Sequence, residues 1–344
     1  MAAYIDTKQK TGTWSMESVL QQVAQSIAQF RYLTRRYALF HVIFFSFFIC
    51  ELIGLLLFFS FLAKSFLLAT IVAATFLTAF SYFVLRFYFQ TKKPEQFLHL
   101  RDTFIQTCEQ LFSMSPDLYE SRRGFLQAIY RLIQELEGQE FQYYQVPKSL
   151  EALAPLIQKF SVWCHWEDVH LMKEILHAYS LRTQLEWVKI HPTDLELHRG
   201  LASSYISFYK IYQDPATLEQ PSYSFIAKEY ASAEMMQKFQ KAAHCAIEEL
   251  KIVLHYTPQD TLALTQLAET YHALDQKEEE RKTYEILLQF SPRENDIRLR
   301  LGVLYFQLGF VAQGLKFYDD LRKLNDPKAE QLIQHYDLFH SLNI

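Results

Sequence analysis

The chain has 344 residues, of which half are apolar and 16% aromatic, with only 8 glycines and 10 prolines. So few chain breakers argue for long helices and against a turn-rich all-β fold, and the length allows two or three structural regions. A net charge of −4 supplies no basic field for nucleic acid; four dispersed cysteines without a CxxC pair argue against a zinc knuckle or disulfide framework and fit a reducing compartment.

Residues 1–37 read as a cytosolic N-terminal segment. Within it Val19, Leu20, Val23, Ile27 and Phe30 recur at helical spacing, closed by Arg31, Arg35 and Arg36. That pattern predicts an amphipathic helix leading into a membrane, either lying on anionic lipid or packed against the cytosolic part of the chain. The next segment is an apolar run that starts too late and is too long for a signal peptide.

Residues 38–88 hold two apolar runs, ALFHVIFFSFFICELIGLLLFFSFL and, after Ala63-Lys64-Ser65, FLLATIVAATFLTAFSYFVL. Each reaches the roughly 20 apolar residues that cross a hydrocarbon core, and neither has a polar face, so a two-helix transmembrane hairpin is expected. Arg31, Arg35 and Arg36 precede it, Arg86, Lys92 and Lys93 come after it, and Lys64 alone lies between. The positive-inside rule then puts both termini in the cytosol of a two-span protein, most simply in a bacterial inner membrane. Glu51 falls inside the first run at about the depth of Thr78 on the return; an ionised carboxylate there is costly, so a neutral group or a hydrogen bond to Thr78 is expected. The alternative uses of Glu51 are a proton or ion site and a contact to a partner's membrane helix; the hairpin itself also offers a route to homo-oligomerisation.

Residues 89–160 predict a helical connector of about three helices (FLHLRDTFIQTCEQLF, RRGFLQAIYRLIQEL, LEALAPLIQKF) that caps the N-terminal end of the region after it. From 161 to 328 the chain repeats. Pro258 and Pro292 are 34 residues apart, and Pro327 comes after a further 35. Leu264, Leu267, Ala268 and Tyr271, then Tyr284 and Pro292, recur in the next segment as Leu301, Gly302 and Tyr305, then Gly314 and Tyr318. An upstream copy carries His198, Leu201, Ala202 and Tyr205, but its second helix, marked by Ala246 and Leu250, comes late. The step from Tyr205 to Ala246 is 41 residues where an uninterrupted unit has 9, so 32 residues are inserted. The insertion, near 211–231, carries Tyr212, Tyr223, Phe225 and Tyr230 and reads as a loop and helix extension, either binding a partner or packing over its own array. Ser161 to Pro192 ends in the same punctuation and is expected to form a degenerate unit; residues 329–344 are expected to be a capping helix.

These residues resemble the tetratricopeptide-repeat (TPR) family, whose frame W-x2-L-G-x2-Y, then a small residue, an aromatic and a Pro, they match with Leu for Trp and Ala for Gly. The small residue lets paired helices approach, the Tyr fills the wedge, and the Pro ends the second helix. The resemblance implies an all-α fold, a TPR-like α-solenoid behind the hairpin, with no cofactor, catalytic residue or metal. It also implies a groove for a protein or peptide partner lined by Glu196, Arg199, Ser203, Ile206, Thr265, Glu269, His272, Leu299, Arg300, Val303 and Phe306. Thr265 and Glu269 stand where the subfamily that clamps chaperone carboxylate tails has Lys and Asn, so an amphipathic helix or extended peptide is the better fit.

No Gly-rich phosphate loop, GxSxG elbow or HExxH occurs in the sequence. The one metal-like pattern, Glu167-x-x-His170 and Glu174-x-x-His177, puts both copies on one helix, whereas di-iron carboxylate bundles place them on different helices. The expected function is therefore non-enzymatic: a membrane-anchored scaffold recruiting a partner to the cytosolic surface. Two other readings are a secreted protein with a bilobed hydrophobic domain, which the hairpin resembles in chlamydial inclusion-membrane proteins, and a membrane enzyme or ion-linked device using Glu51 or the Glu/His helix.

Overall fold

The computed structural model describes residues 16–62, 66–112, 118–144, 152–213 and 232–342, and among these there is no strand. Its helices are α1 (Met16–Leu62), α2 (Leu67–Phe112), α3 (Leu118–Leu136), α4 (Gln139–Gln142), α5 (Ala154–Ile190), α6 (Leu195–Lys210), α7 (Ala233–Tyr256), α8 (Thr261–Ala273), α9 (Lys277–Phe290), α10 (Asn295–Gln307), α11 (Val311–Lys323) and α12 (Lys328–Leu342). They form two compact units, one up to Ser180 and one from Leu181.

In the first unit α1 and α2 are 47 and 46 residues long, so the amphipathic N-terminal helix and the first apolar run are one helix, and so are the second run and the first connector helix. Nothing in the sequence breaks α1 at residue 37, and Pro94 lies within α2. The two helices pack side by side. Along the apolar runs both are largely exposed, with Leu56, Leu57 and Phe76 each more than 70% accessible. Each is long and apolar enough to cross a membrane. The turn with Lys64 lies outside the described residues.

Beyond the runs the same helices enter a packed body. Val19, Val23, Ile27 and Phe30 are buried there, Phe30 against Phe97 with ring centroids 5.2 Å apart, whereas Leu20 is exposed. The N-terminal apolar face is therefore spent on α2 and α3 and is not available to lie on lipid. The basic residues that flank the hairpin are also engaged. Arg31 donates to the Gln139 side chain at 2.7 Å, Arg35 to the Tyr143 carbonyl at 3.2 Å, and Lys93 to Asp168 at 2.6 Å.

Ser161–Pro192, expected as a two-helix unit, holds instead the greater part of one 37-residue helix, because no Gly or Pro interrupts it between Pro155 and Pro192. In the first unit α5 lies against α3 and the α4 segment. His177 faces Tyr130, ring centroids 6.4 Å apart, and His165 stacks on Tyr143 at 3.8 Å.

In the second unit the 34-residue period is geometric. Helix α8 starts at 261 and α10 at 295; α9 starts at 277 and α11 at 311. The turns repeat in the same register: Asp275 and Gly309 both take positive φ (55° and 82°), and the next amides, Gln276 and Phe310, donate to the Tyr271 and Tyr305 carbonyls at 2.9 and 2.8 Å. Gly309 meets that left-handed requirement without a Cβ penalty, and Asp275 is among the residue types that tolerate it. Asp194, Ser232 and Asp260 cap the N-termini of α6, α7 and α8 with their side chains. Each helix packs on its neighbour in order, α6 on α7, α7 on α8, and so to α12, which lies over α10 and α11. The chain is thus all-α, with a long apolar helical pair leading into a TPR-like solenoid.

Candidate functional site

The repeat frame forms the inside of the solenoid. Leu201, Ala202, Ala246, Leu264, Leu267, Ala268, Tyr271, Leu301, Gly302 and Gly314 are buried, and Tyr205, Tyr284, Tyr305 and Tyr318 are half-buried in the same clusters. Both glycines mark close approaches: a Cβ at Gly314 would run into the Phe306 ring, and one at Gly302 into the Leu332 side chain of α12.

Of the side chains expected to face a ligand, Glu196, Ser203, Glu269 and His272 are exposed, and Thr265 and Leu299 half-buried. Three others are not available. Ile206 belongs to the core formed by α6, α7 and α8, while Val303 and Phe306 pack with Leu321, Ala329, Leu332 and Tyr336 under the capping helix. The two arginines are committed to neighbouring helices. Arg199 pairs with Glu196 on its own helix and, at 2.8 Å, with Asp260, the residue that caps α8. Arg300 donates from Nε to Glu280 Oε1 at 2.7 Å, joining α10 to α9.

Glu280 occupies a special register. It stands 34 residues after Ala246 and 34 before Gly314, where a TPR unit has its small second-helix residue, and it is fully buried. Arg300 also meets His272 Nδ1 through its second terminal nitrogen, and His272 Nδ1 stands 3.3 Å from Glu280 Oε2. Burial pushes the Glu280 carboxyl up, but bonds from His272 and Arg300, with the Arg300 charge, outweigh it and hold it below the usual carboxylate range. The exposed end of this constellation, His272 and the Arg300 head, sits among the ligand-facing positions, its inner end in the wedge between repeats. Sequence reasoning missed Glu280 because it lies in the run KEEER, which reads as a solvated face; aligning it with Ala246 and Gly314 would have found it.

The pair expected at one depth of the two apolar runs is brought together: Thr78 donates to Glu51 Oε1 at 3.0 Å. Nearer the body, where Tyr82 packs among Phe40, Phe44 and Phe45, His41 meets its hydroxyl at 3.2 Å. The Glu167–His177 pattern does not converge. Glu167 is exposed, His177 is buried beside Tyr130, and no cluster of ligating side chains that could hold a metal occurs among the described residues. The Asp168 beside them, also missed, is the buried partner of Lys93. Of the insertion, Tyr212 is buried in the α6–α7 core; Tyr223, Phe225 and Tyr230 lie outside the described residues.

No family model matches the chain, and no curated protein matches it. Solved structures similar to it include the MamA RS-1 ArsTM double mutant (10% identity over 71% of this chain and 97% of that one, TM-score 0.31). Others are MamA MSR-1 C2 (12%, 70% and 97%, TM-score 0.30) and a monomeric IFIT1 mutant with Gppp-AAAA (16%, 68% and 58%, TM-score 0.33). At such TM-scores these likenesses add no argument, and the solenoid assignment stands on the chain's own 34-residue geometry.

Proposed function

We propose that the chain is a non-enzymatic scaffold, anchored by the α1–α2 hairpin in a membrane with both termini on the cytosolic side, whose solenoid recruits a protein or peptide partner to that surface. The observation that carries the anchoring is the exposure of the hairpin: none of the apolar window of either helix is buried in the protein. Apolar surface of that extent has no stable place in water. A partner that also touches the membrane meets the solenoid at raised effective concentration, so modest contacts along Ser203, Thr265, Glu269, His272 and Leu299 suffice.

Crosslinking in intact membranes, read out by mass spectrometry, tests this reading by comparing wild type with Thr265→Arg/Glu269→Arg. Both positions reach solvent and neither is tied to another repeat, unlike Arg300, whose reversal would place a second carboxylate against Glu280. A dominant protein adduct lost in the double variant is expected. An adduct that persists unchanged moves recruitment away from α8, and none at all sinks the scaffold reading.

A further inference from the structure

The first turns of α5 carry an apolar stripe that is left exposed among the described residues of the first unit. Leu153, directly before the helix, and Leu156, Phe160 and Trp163 recur at i, i+3, i+7 and i+10, so they share one face. All four are exposed, Trp163 by 75% and Leu156 by 63%. The opposite face, with Ser161, Val162, His165 and Asp168, is buried. An exposed tryptophan within such a stripe is rare on a surface that meets only water.

Its position says what it meets. Going back along α5, His177 lies beside Tyr130 of α3, and His165, twelve residues earlier, lies on Tyr143. The Tyr143 hydroxyl accepts from Thr34 at 2.9 Å, and Thr34 is four residues before the first apolar run. Helix α5 therefore climbs towards the hairpin as its numbering falls. From His165 to Leu153 is another twelve residues, or about 18 Å of helix, which carries the stripe to the level where α1 and α2 leave the body. The chemistry agrees with that depth. Trp163 and Phe160 lie together with ring centroids 6.2 Å apart, and Tyr144 lies 5.8 Å from Phe160, an aromatic belt of the kind that sits at headgroups. Lys159 beside them is exposed and suits anionic lipid, and the stripe turns charged at Glu167, one turn further from the hairpin.

We propose that this stripe docks into the membrane interface, as a third, non-spanning contact that seats the first unit on the lipid surface next to its own hairpin. The proposal rests on the anchored reading above, so the test must separate the two. The full-length protein is reconstituted in vesicles of phosphatidylethanolamine and phosphatidylglycerol with a photoreactive benzoylphenylalanine at 163, at 56 in the hairpin, or at the exposed position 244 of α7. Position 163 is exposed, so the replacement does not threaten folding. Lipid adducts at 56 and 163 but not at 244 are expected, with the adduct at 163 lost in Leu156→Glu/Phe160→Glu while that at 56 is kept. Lipid adducts at 56 but none at 163, or a protein adduct at 163, overturn the docking proposal and leave the hairpin standing. No lipid adduct at 56 overturns the anchored reading, and docking falls with it.

Discussion

Arg300 and Glu280 show how one residue's register decides its energetics. A carboxylate in the wedge between repeats is tolerable only while a cation reaches it, since an unpaired buried charge is far costlier than a missing pair. Arg300→Ala is therefore expected to destabilise the solenoid by about 3 kcal/mol, the low end of such losses because the Arg300 head reaches solvent. Glu280→Ala, which restores the residue type found at 246, is expected to cost less, and adding it to Arg300→Ala should recover part of the loss. Urea unfolding of the four proteins checks this, and purely additive effects would show that the pair is not coupled. None of this can be read from composition, because Glu280 among its charged neighbours has the same local sequence whether it faces water or the wedge.

At the scale of elements, period was the legible quantity. The 34-residue spacing of prolines and wedge residues led to α8–α11, and two unbroken apolar runs led to the hairpin helices. Helix ends without a chain breaker were not legible: α2 runs on into the segment expected as the first connector helix, and α5 has no turn. The ligand-facing positions were only partly legible. Val303 and Phe306 occupy first-helix positions of the last repeat, where the capping helix covers the side that earlier repeats leave open. The same helix makes Gly302 a requirement, because its Leu332 fills the space of a side chain. Gly302→Val is expected to lower stability by about 1–3 kcal/mol through overpacking. A thermal melt monitored by helical circular dichroism reads that loss, and an unchanged midpoint would mean that α12 yields at no cost.

For the whole molecule, the buried titratable groups set different acid limits on the two units. His165 and His177 are both pushed down to about 4, His165 by burial and then by Lys93 and Arg35, His177 by burial and then by Lys173. A depressed folded-state pKa contributes stability that is complete above the ordinary value of 6.5 and is lost as pH falls towards 4. Glu280, held below its ordinary 4.5, keeps its contribution until pH falls beneath that value. Hydrogen exchange on the full chain in detergent should show protection around α3 and α5 weakening between pH 6.5 and 4, while α9 and α10 hold until the pH is lower still. Simultaneous loss in both units would contradict this assignment. The unbroken passage of α1 and α2 from apolar run to packed body has a mechanical consequence. At that boundary α1 has no Gly or Pro to serve as a soft joint, Arg31 and Arg35 fasten it to the α4 segment, and Lys93 ties α2 to α5 directly before Pro94. Under the proposed anchoring, a sideways pull on that body would be felt as tilt of the paired helices, and a change in bilayer thickness would be felt, in turn, by the body.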